Sequence, residues 1–194
     1  MEEFTKRQEE IITKAINIID DKGIQGLTIK NLSKEIGVTE GAIYRHFENK
    51  QKILISILSR FAENMEELQR DVLNSENTTE GKISFTLHQL RGMFEKNPAI
   101  VSVIFAEEIF KNDKQLAKKI TEIIHFNHDF FRQIISEGQK QREIRHDLDE
   151  GMIVNHVIGS FRLLVKIWKL EEFKVSLKNG VDDLLKYLKA TIWA

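Results

Sequence analysis

The stretch TIKNLSKEIGVTEGAIYRHFENKQK, residues 28–52, decides the fold of this chain. Thr28 and Thr39 are candidate N-caps for two short helices, and Gly37 between them ends the first helix. The apolar residues of both segments recur at helical spacing, as Ile29, Leu32 and Ile36 and then as Ala42, Ile43 and Phe47. Two helices with so short a link must cross at a steep angle, which predicts a helix-turn-helix whose second helix turns one face outwards.

The outward face of the second helix is polar where a buried helix would be apolar. Its residues are small, charged or able to form hydrogen bonds: Glu40, Gly41, Tyr44, Arg45 and His46. Such a face suits a major groove, because small residues allow close approach and larger ones can donate to phosphates or base edges. Thr28, Lys30 and Lys50 lie at or near helix N-termini, which favour a phosphate. Glu40 is the exception, since a carboxylate repels phosphate unless it accepts from a cytosine amino group.

From Gly23 onwards the chain has the pattern G-x-x-x-x-T-I-x-x-L-S-K-E-I-G-V-T-E-G-A-I-Y-R-H-F-x-N-K. With the helix before it, this segment closely resembles the N-terminal domain of the TetR family of bacterial transcriptional repressors, from about Phe4 to Phe61. The matching residues are Gly23, Thr28, Ile29, Leu32, Ile36, Gly37, Val38, Gly41, Tyr44, Phe47 and Lys50. The resemblance implies DNA contacts for the positions that touch DNA in that family, which are here Thr28, Thr39, Tyr44, His46 and Lys50.

The remaining sequence predicts an all-α protein with about nine helices. One proline and ten glycines in 194 residues permit long uninterrupted helices. Beyond the helix-turn-helix, we expect helices at about 5–22, 49–72, 82–95, 97–110, 114–141, 147–170 and 175–192. Their start signals include Asn49, Asn97 followed by Pro98, and a D-x-x-E capping box of Asp147 and Glu150.

These helices predict an N-terminal three-helix helix-turn-helix domain followed by a C-terminal helical bundle. The expected segments are residues 1–48 for DNA binding, 49–72 for a long connecting helix, and 73–194 for ligand binding and dimerisation. The last segment weakly resembles the C-terminal domain of the same family, in which the final two helices pair with those of a second copy. The resemblance thus implies a homodimer interface of Ile153, Val157, Phe161, Leu164, Val181, Leu184, Leu185 and Leu188.

A mixture of aromatic and polar residues in the C-terminal bundle is typical of an apolar ligand pocket with a few orienting polar groups. The candidates are Phe85, His88, Phe105, Glu108, Phe126, Phe130, His156, Arg162 and Trp168. Ordinary core packing is the alternative for each of them. A buried Arg162 would need an anionic partner, either Glu107, Glu108 or a ligand carboxylate. The sequence does not identify the effector.

Charge is distributed unevenly along the chain. The net charge is −1, yet residues 22–60 carry seven Lys or Arg against three acids, a net +4 in the segment expected to meet double-stranded DNA. The absence of cysteine excludes a disulfide scaffold and a thiolate metal site. The first ten residues are too charged for a signal peptide, and no apolar run is long enough for a membrane span. We therefore expect a soluble, cytoplasmic protein with no membrane partner.

The rival interpretation is a metal-carboxylate helical-bundle enzyme. Two E-x-x-H pairs, Glu122 with His125 and Glu143 with His146, have the spacing that di-iron bundles use. If one helix carried both, a rise of about 1.5 Å per residue would separate the pairs by roughly 30 Å, too far for one centre. No Walker loop, dinucleotide fingerprint or nucleophile elbow is present either. We therefore expect no catalytic residue, metal or cofactor.

The resemblance implies a TetR-type transcriptional regulator, a dimeric repressor that binds a palindromic operator and is released by a small molecule. The long helix that starts near Asn49 is the expected lever between the two domains. A protein-interaction module is the remaining alternative, and its signature would be the absence of salt-sensitive DNA affinity.

Overall fold

A computed structural model describes residues 4–106, 110 and 113–194. The helices with described bounds are α1 (Lys6–Gly26), α2 (Ile29–Ile36), α3 (Glu40–Tyr44), α4 (Lys50–Leu73), α5 (Thr79–Lys96), α6 (Val101–Ile104), α7 (Lys114–Lys140), α8 (Glu150–Leu170) and α9 (Leu177–Ile192), with a 3-10 turn at Pro98–Ile100. The predicted fold class, an all-α chain with an N-terminal helix-turn-helix and a C-terminal helical domain, is confirmed.

Contacts divide the chain into two compact units. The first comprises Met1–Asn64 and Pro98–Glu122, and the second comprises Met65–Asn97 and Ile123–Ala194. Within the first unit α1 packs against α2 and α6, and α2 packs against α3. Within the second unit α9 packs against α8 and α5, and α5 packs against α8. The functional division at residues 48 and 72 stays a prediction.

Local capping fixes the helix-turn-helix as the sequence predicts. The side-chain oxygens of Thr28, Thr39 and Asn49 each accept a hydrogen bond from the backbone N–H three residues later, at 3.0, 3.3 and 2.9 Å. Gly37 ends α2 in the left-handed conformation, with φ 78° and ψ 36°, which a side chain would strain. These caps start α2, α3 and α4 at the predicted positions.

The core of the first unit is built from one apolar stripe on α1 and the inner faces of the helices that it covers. Five isoleucine and alanine side chains of this stripe are buried: Ile11, Ile12, Ala15, Ile16 and Ile19. Leu27, Leu32 and Ile43 are almost completely buried as well. Because these residues fill the interior, the opposite sides of α2 and α3 are left for solvent or a partner.

Two helix boundaries differ from the prediction because of local backbone geometry. The fifth helix begins at Thr79, not at residue 82, because the Thr78 side chain caps it by accepting from the N–H of Gly81 at 3.2 Å. The helix expected to reach residue 110 is shorter, since α6 ends at Ile104 and Phe105 leaves the helical conformation. Both differences come from local backbone geometry that the apolar pattern does not report.

The cap of α8 was assigned to the wrong aspartate. Asp149, not Asp147, caps the helix, and its side chain accepts from the N–H of Met152 at 2.8 Å. Asp147 instead pairs with Arg145, with 2.7 Å between Nη2 and Oδ2. The hydrogen bond from the Arg145 guanidinium lowers the pKa of the Asp147 carboxyl. The ion pair therefore withdraws Asp147 from the capping box that the sequence predicts.

Candidate DNA-binding surface

The α3 helix presents one buried face and one exposed face. Ile43 is fully buried and Phe47, just after the helix, is buried too, so both anchor α3 to the unit. Glu40, Gly41 and Tyr44 are exposed, and Tyr44 retains 52% of its surface although it is a large aromatic residue. An exposed tyrosine can donate a hydrogen bond to a phosphate oxygen, so this face suits a nucleic-acid contact. The exposed side of α3 is therefore the centre of the candidate surface.

The other predicted DNA-binding residues near α3 in the sequence are exposed or half-buried. Arg45 is exposed and His46 is half-buried, and both follow the last residue of the helix. Thr28, Lys30 and Thr39 are also exposed. The two threonine oxygens accept the capping bonds, while neither hydroxyl donates a hydrogen bond to another described residue. Both hydroxyl hydrogens therefore remain available to a phosphate oxygen.

Four exposed lysine and arginine side chains of residues 22–60 have no ion pair with a described residue. Within the part of the chain that the structure describes, Lys30, Lys34, Arg45 and Lys52 form no ion pair, whereas Lys14 pairs with Glu35 at 3.4 Å. A phosphate backbone can therefore meet their full charge. This arrangement agrees with the net +4 of residues 22–60.

Lys50 differs from these lysines because its ammonium is already engaged. It is half-buried, and its Nζ donates a hydrogen bond to the Ile24 carbonyl oxygen in the last turn of α1. That turn is separated from the rest of α1 by a kink at Gly23, where φ is 69°. Burial lowers the pKa of Lys50. Lys50, which the sequence predicts as a phosphate contact, thus links the start of α4 to the last turn of α1. Its position in the sequence does not reveal this role.

The predicted ligand residues do not converge on one described cavity. Phe130 and Trp168 are buried, whereas Phe85 and Phe126 are exposed by 45% and 40%. Phe105, His156 and Arg162 are half-buried, and Glu108, with the alternative Glu107, lies outside the described residues. Two described cavities of about 320 and 310 Å³ are lined by other residues. The assignment of a ligand site to these nine positions stays a prediction.

Two of these polar residues have partners inside the second unit. His88 lies against Asp182, with 3.5 Å between Nε2 and Oδ1, and Asp182 is also paired with Lys178 at 2.9 Å. The His156 ring lies 5.5 Å from the Tyr187 ring, between α8 and α9. These contacts link α5 to α9 and α8 to α9, and the ligand assignment of both histidines stays a prediction.

Most of the predicted dimer residues are part of the single chain's own core. Six of the eight are buried: Ile153, Val157, Phe161, Val181, Leu184 and Leu188. Leu164 and Leu185 are half-buried. In a single copy these six side chains line the core, and their assignment to a dimer interface stays a prediction. On α8 the apolar residues occupy two faces, and the periodicity alone does not identify the inner one.

A second apolar face of α8 is exposed, and the sequence prediction did not include it. Met152, Leu163, Ile167 and Leu170 recur at helical spacing and are exposed by 66, 56, 42 and 71%. Gly159 lies in the same stripe, with no heavy atom within 4 Å of where its Cβ would be. The signal in the sequence is this second apolar series, offset from the buried one.

The sequence matches the profile of the tetR family of bacterial regulatory proteins at residues 11–57, and that of the C-terminal region of YsiA-like proteins at residues 56–191. The chain belongs to the TetR family. This TetR-type protein is accordingly a transcriptional regulator, and the predicted family and function class are confirmed.

Similar proteins cover nearly the whole chain. The fatty acid metabolism regulator protein of Bacillus subtilis (strain 168) is 29% identical over 192 residues, which are 95% of this chain and 96% of the relative. The structure of the regulator FadR from Bacillus subtilis in complex with stearoyl-CoA aligns with a TM-score of 0.80 and 23% identity, over 96% of this chain and 98% of the other. A ketosteroid transcriptional regulator of Mycobacterium tuberculosis aligns with a TM-score of 0.85 and 15% identity, over 99% and 97% of the two chains.

The two glutamates of the rival metal interpretation have other contacts in this TetR-type regulator. Glu122 lies 3.8 Å from Lys118, and Glu143 accepts a hydrogen bond from the N–H of Thr79 at 2.7 Å. Among the described residues, no three His, Cys, Asp or Glu side chains are grouped so that they could hold a metal ion. Across the same described ranges, no helix combines the length and apolarity that crossing a membrane requires.

Proposed function

We propose that this TetR-type regulator is a homodimeric repressor that binds a palindromic operator and releases it when a small molecule binds. The observation that carries the proposal is the exposed face of α3, where Tyr44 and the adjoining Arg45 are exposed at the end of a helix anchored by Ile43. A helix held in this way can enter the major groove, while Thr28 and Lys30 meet the flanking phosphates. Such a protein acts where the chromosome lies, which places it in the cytoplasm.

Two copies are needed because the DNA-binding part of one copy carries little net positive charge for binding DNA. A net +4 over residues 22–60 supplies few phosphate contacts, and doubling it steepens the dependence on salt. A two-fold dimer also presents two recognition helices to half-sites about 34 Å apart, which makes the operator palindromic. The exposed stripe of Met152, Leu163, Ile167 and Leu170 supports this assembly, since a second copy would bury it.

We assign the effector to long-chain acyl thioesters of coenzyme A. The support is the likeness to a fatty acid metabolism regulator and to a FadR structure that contains stearoyl-CoA. The helix α4 runs without a break from Lys50 to Leu73 and so joins the part that carries the recognition helix to the second unit. A ligand that prefers one orientation of this lever shifts the population towards a recognition-helix spacing that no longer fits adjacent major grooves. A ligand with equal affinity for both states would have no effect.

The test is binding of the purified protein to the DNA immediately upstream of its own gene, compared with random duplex at several salt concentrations. We expect a salt-dependent preference for the upstream DNA, which stearoyl-CoA abolishes and stearate or coenzyme A alone does not. Tyr44→Ala should weaken that binding about tenfold or more, because a good base contact contributes roughly 1–3 kcal/mol.

Phe85→Ala is the matched control for this experiment. It truncates an aromatic side chain of comparable exposure on α5, far along the chain from α3, and should leave effector-free DNA binding unchanged. Equal binding of upstream and random DNA would refute the operator proposal. If Tyr44→Ala binds the upstream DNA as tightly as wild type, the proposed DNA-binding face is wrong. If release of the DNA does not depend on stearoyl-CoA, only the proposed effector class is wrong.

A further inference from the structure

Glu40 is an acidic residue on a surface that otherwise suits phosphate. It occupies the first position of α3 and is exposed. Within the part of the chain that the structure describes, its carboxylate has neither an ion pair nor a hydrogen bond, whereas Glu35 pairs with Lys14 and Glu9 lies 3.9 Å from Arg60. The fold therefore gives the Glu40 carboxylate no internal partner.

The position of the next residue along α3, Gly41, is open. A Cβ built on Gly41 would meet only the Thr39 Oγ1, at 3.9 Å, so the helix leaves space there beside the exposed Glu40. A groove edge can thus approach the Glu40–Gly41 edge of α3 more closely than it could approach a helix with larger side chains.

The chemistry of an ionised carboxylate limits what it can contact in a major groove. It only accepts hydrogen bonds, and the groove offers donors on cytosine N4 and adenine N6 alone. Guanine O6 and thymine O4 are acceptors and repel it. Adenine also presents N7, an acceptor beside its amino group that opposes the second carboxylate oxygen, whereas cytosine presents no such acceptor.

We propose that Glu40 selects cytosine at one position of each operator half-site by accepting a hydrogen bond from its N4 amino group. The inference rests on the proposed function, because it requires α3 to lie in the major groove. A carboxylate in the first turn also stabilises the helix end through the helix dipole, and that role alone would confer no base preference. Glu40→Gln separates the two roles, since an amide pairs with adenine N6 and N7 and no longer favours cytosine.

The experiment is selection of binding sites from a random duplex library, followed by sequencing, with wild type, Glu40→Gln and Glu48→Gln. Glu48 is the matched control, since it is exposed, lies outside α3 and has no partner among the described residues. We expect wild type and Glu48→Gln to select the same half-site with a fixed cytosine. Glu40→Gln should replace that cytosine with adenine and lose about tenfold in affinity for the wild-type site. Thermal unfolding of each variant confirms that it is folded.

The possible failures are distinguishable. If Glu40→Gln selects the same bases as wild type, Glu40 only stabilises the helix end, and the inference is overturned while the proposed function stands. If wild type enriches no common sequence, the proposed operator binding fails, and the inference fails with it.

Discussion

Gly41 occupies the second position of α3, and nothing inside the described chain requires a glycine there. Its φ is not positive, and an added Cβ would remain 3.9 Å from its nearest neighbour, Thr39 Oγ1. Glycine in a helix costs roughly 0.5–1 kcal/mol relative to alanine. The fold would therefore be more stable with alanine, which suggests that the space is kept for an external partner.

We predict that Gly41→Ala raises the stability of the protein and weakens its binding to DNA. The expected gain is at most about 0.5–1 kcal/mol in the free energy of unfolding, because the unfolded chain loses freedom and no native contact is strained. The added methyl group would occupy the gap between α3 and the groove, so DNA affinity should fall. Urea unfolding and DNA titration on the same samples measure both effects.

Gly92→Ala is the control for this pair of effects. Gly92 lies inside α5 and also has no heavy atom within 4 Å of a built Cβ, so alanine should stabilise the chain to a similar extent. Its DNA binding should stay at the wild-type level. A Gly41→Ala variant that binds DNA as well as Gly92→Ala would show that no close approach takes place at Gly41.

At the scale of the helices, Asp113 decides where α7 begins. Its carboxylate accepts from the backbone N–H groups of Gln115 and Leu116, both at 3.1 Å, and from the Gln51 side chain at 2.8 Å. Burial opposes ionisation of this carboxyl, but the three hydrogen bonds together outweigh it and lower the pKa of Asp113. The cap therefore fastens α7 to the start of α4 within the first unit.

We predict that Asp113→Ala lowers the free energy of unfolding by about 1 kcal/mol, through the loss of this cap. Asp113→Asn should retain most of that stability at neutral pH, since an amide oxygen also caps. The pKa of Asp113 is below its ordinary 3.8, so the carboxylate contributes its full stability above that pH and loses it as the pH falls through the folded-state pKa. Urea unfolding against pH should thus show a steeper acid loss for wild type than for Asp113→Asn, and parallel curves would contradict the assignment.

The sequence predicts some helix ends correctly and others not. The helix-turn-helix followed from the sequence because Thr28, Gly37 and Thr39 act on backbone atoms three or four residues away. The cap of α8 did not, because Asp147 and Asp149 are both capable and an ion pair with Arg145 decides between them. Such a choice depends on tertiary contacts, which no local pattern contains.

The inner face of α8 was undetermined for a related reason. Ile153, Val157 and Phe161 form one apolar series, and Met152, Leu163 and Ile167 form another on the same helix. Periodicity shows that both series exist, but only the packing of α9 and α5 against α8 identifies the buried one. The DNA surface avoided this ambiguity, because α3 has a single apolar face, at Ile43 and Phe47.

At the scale of the whole molecule, the exposed stripe of α8 bears on the proposed assembly. We predict that Leu163→Glu yields a folded monomer. Leu163 is 56% exposed, so glutamate there leaves the chain's own core intact. In a two-fold interface the same substitution would place one carboxylate from each copy in an apolar contact, where desolvation and mutual repulsion oppose pairing. Sedimentation velocity at micromolar concentration measures the expected change in mass.

The DNA-binding behaviour of Leu163→Glu provides an independent check on the same assembly. A monomer neutralises about half as many phosphates, so the slope of log affinity against log salt should fall to roughly half of the wild-type value. Ile124→Glu is the matched control, because Ile124 is 44% exposed on α7, a different helix from the one that carries the stripe, and this variant should keep the wild-type mass and slope. If Leu163→Glu sediments as wild type, pairing does not use this face of α8. If it is monomeric but keeps the full slope, the recognition helices do not act as a pair, and the requirement for a palindromic operator fails.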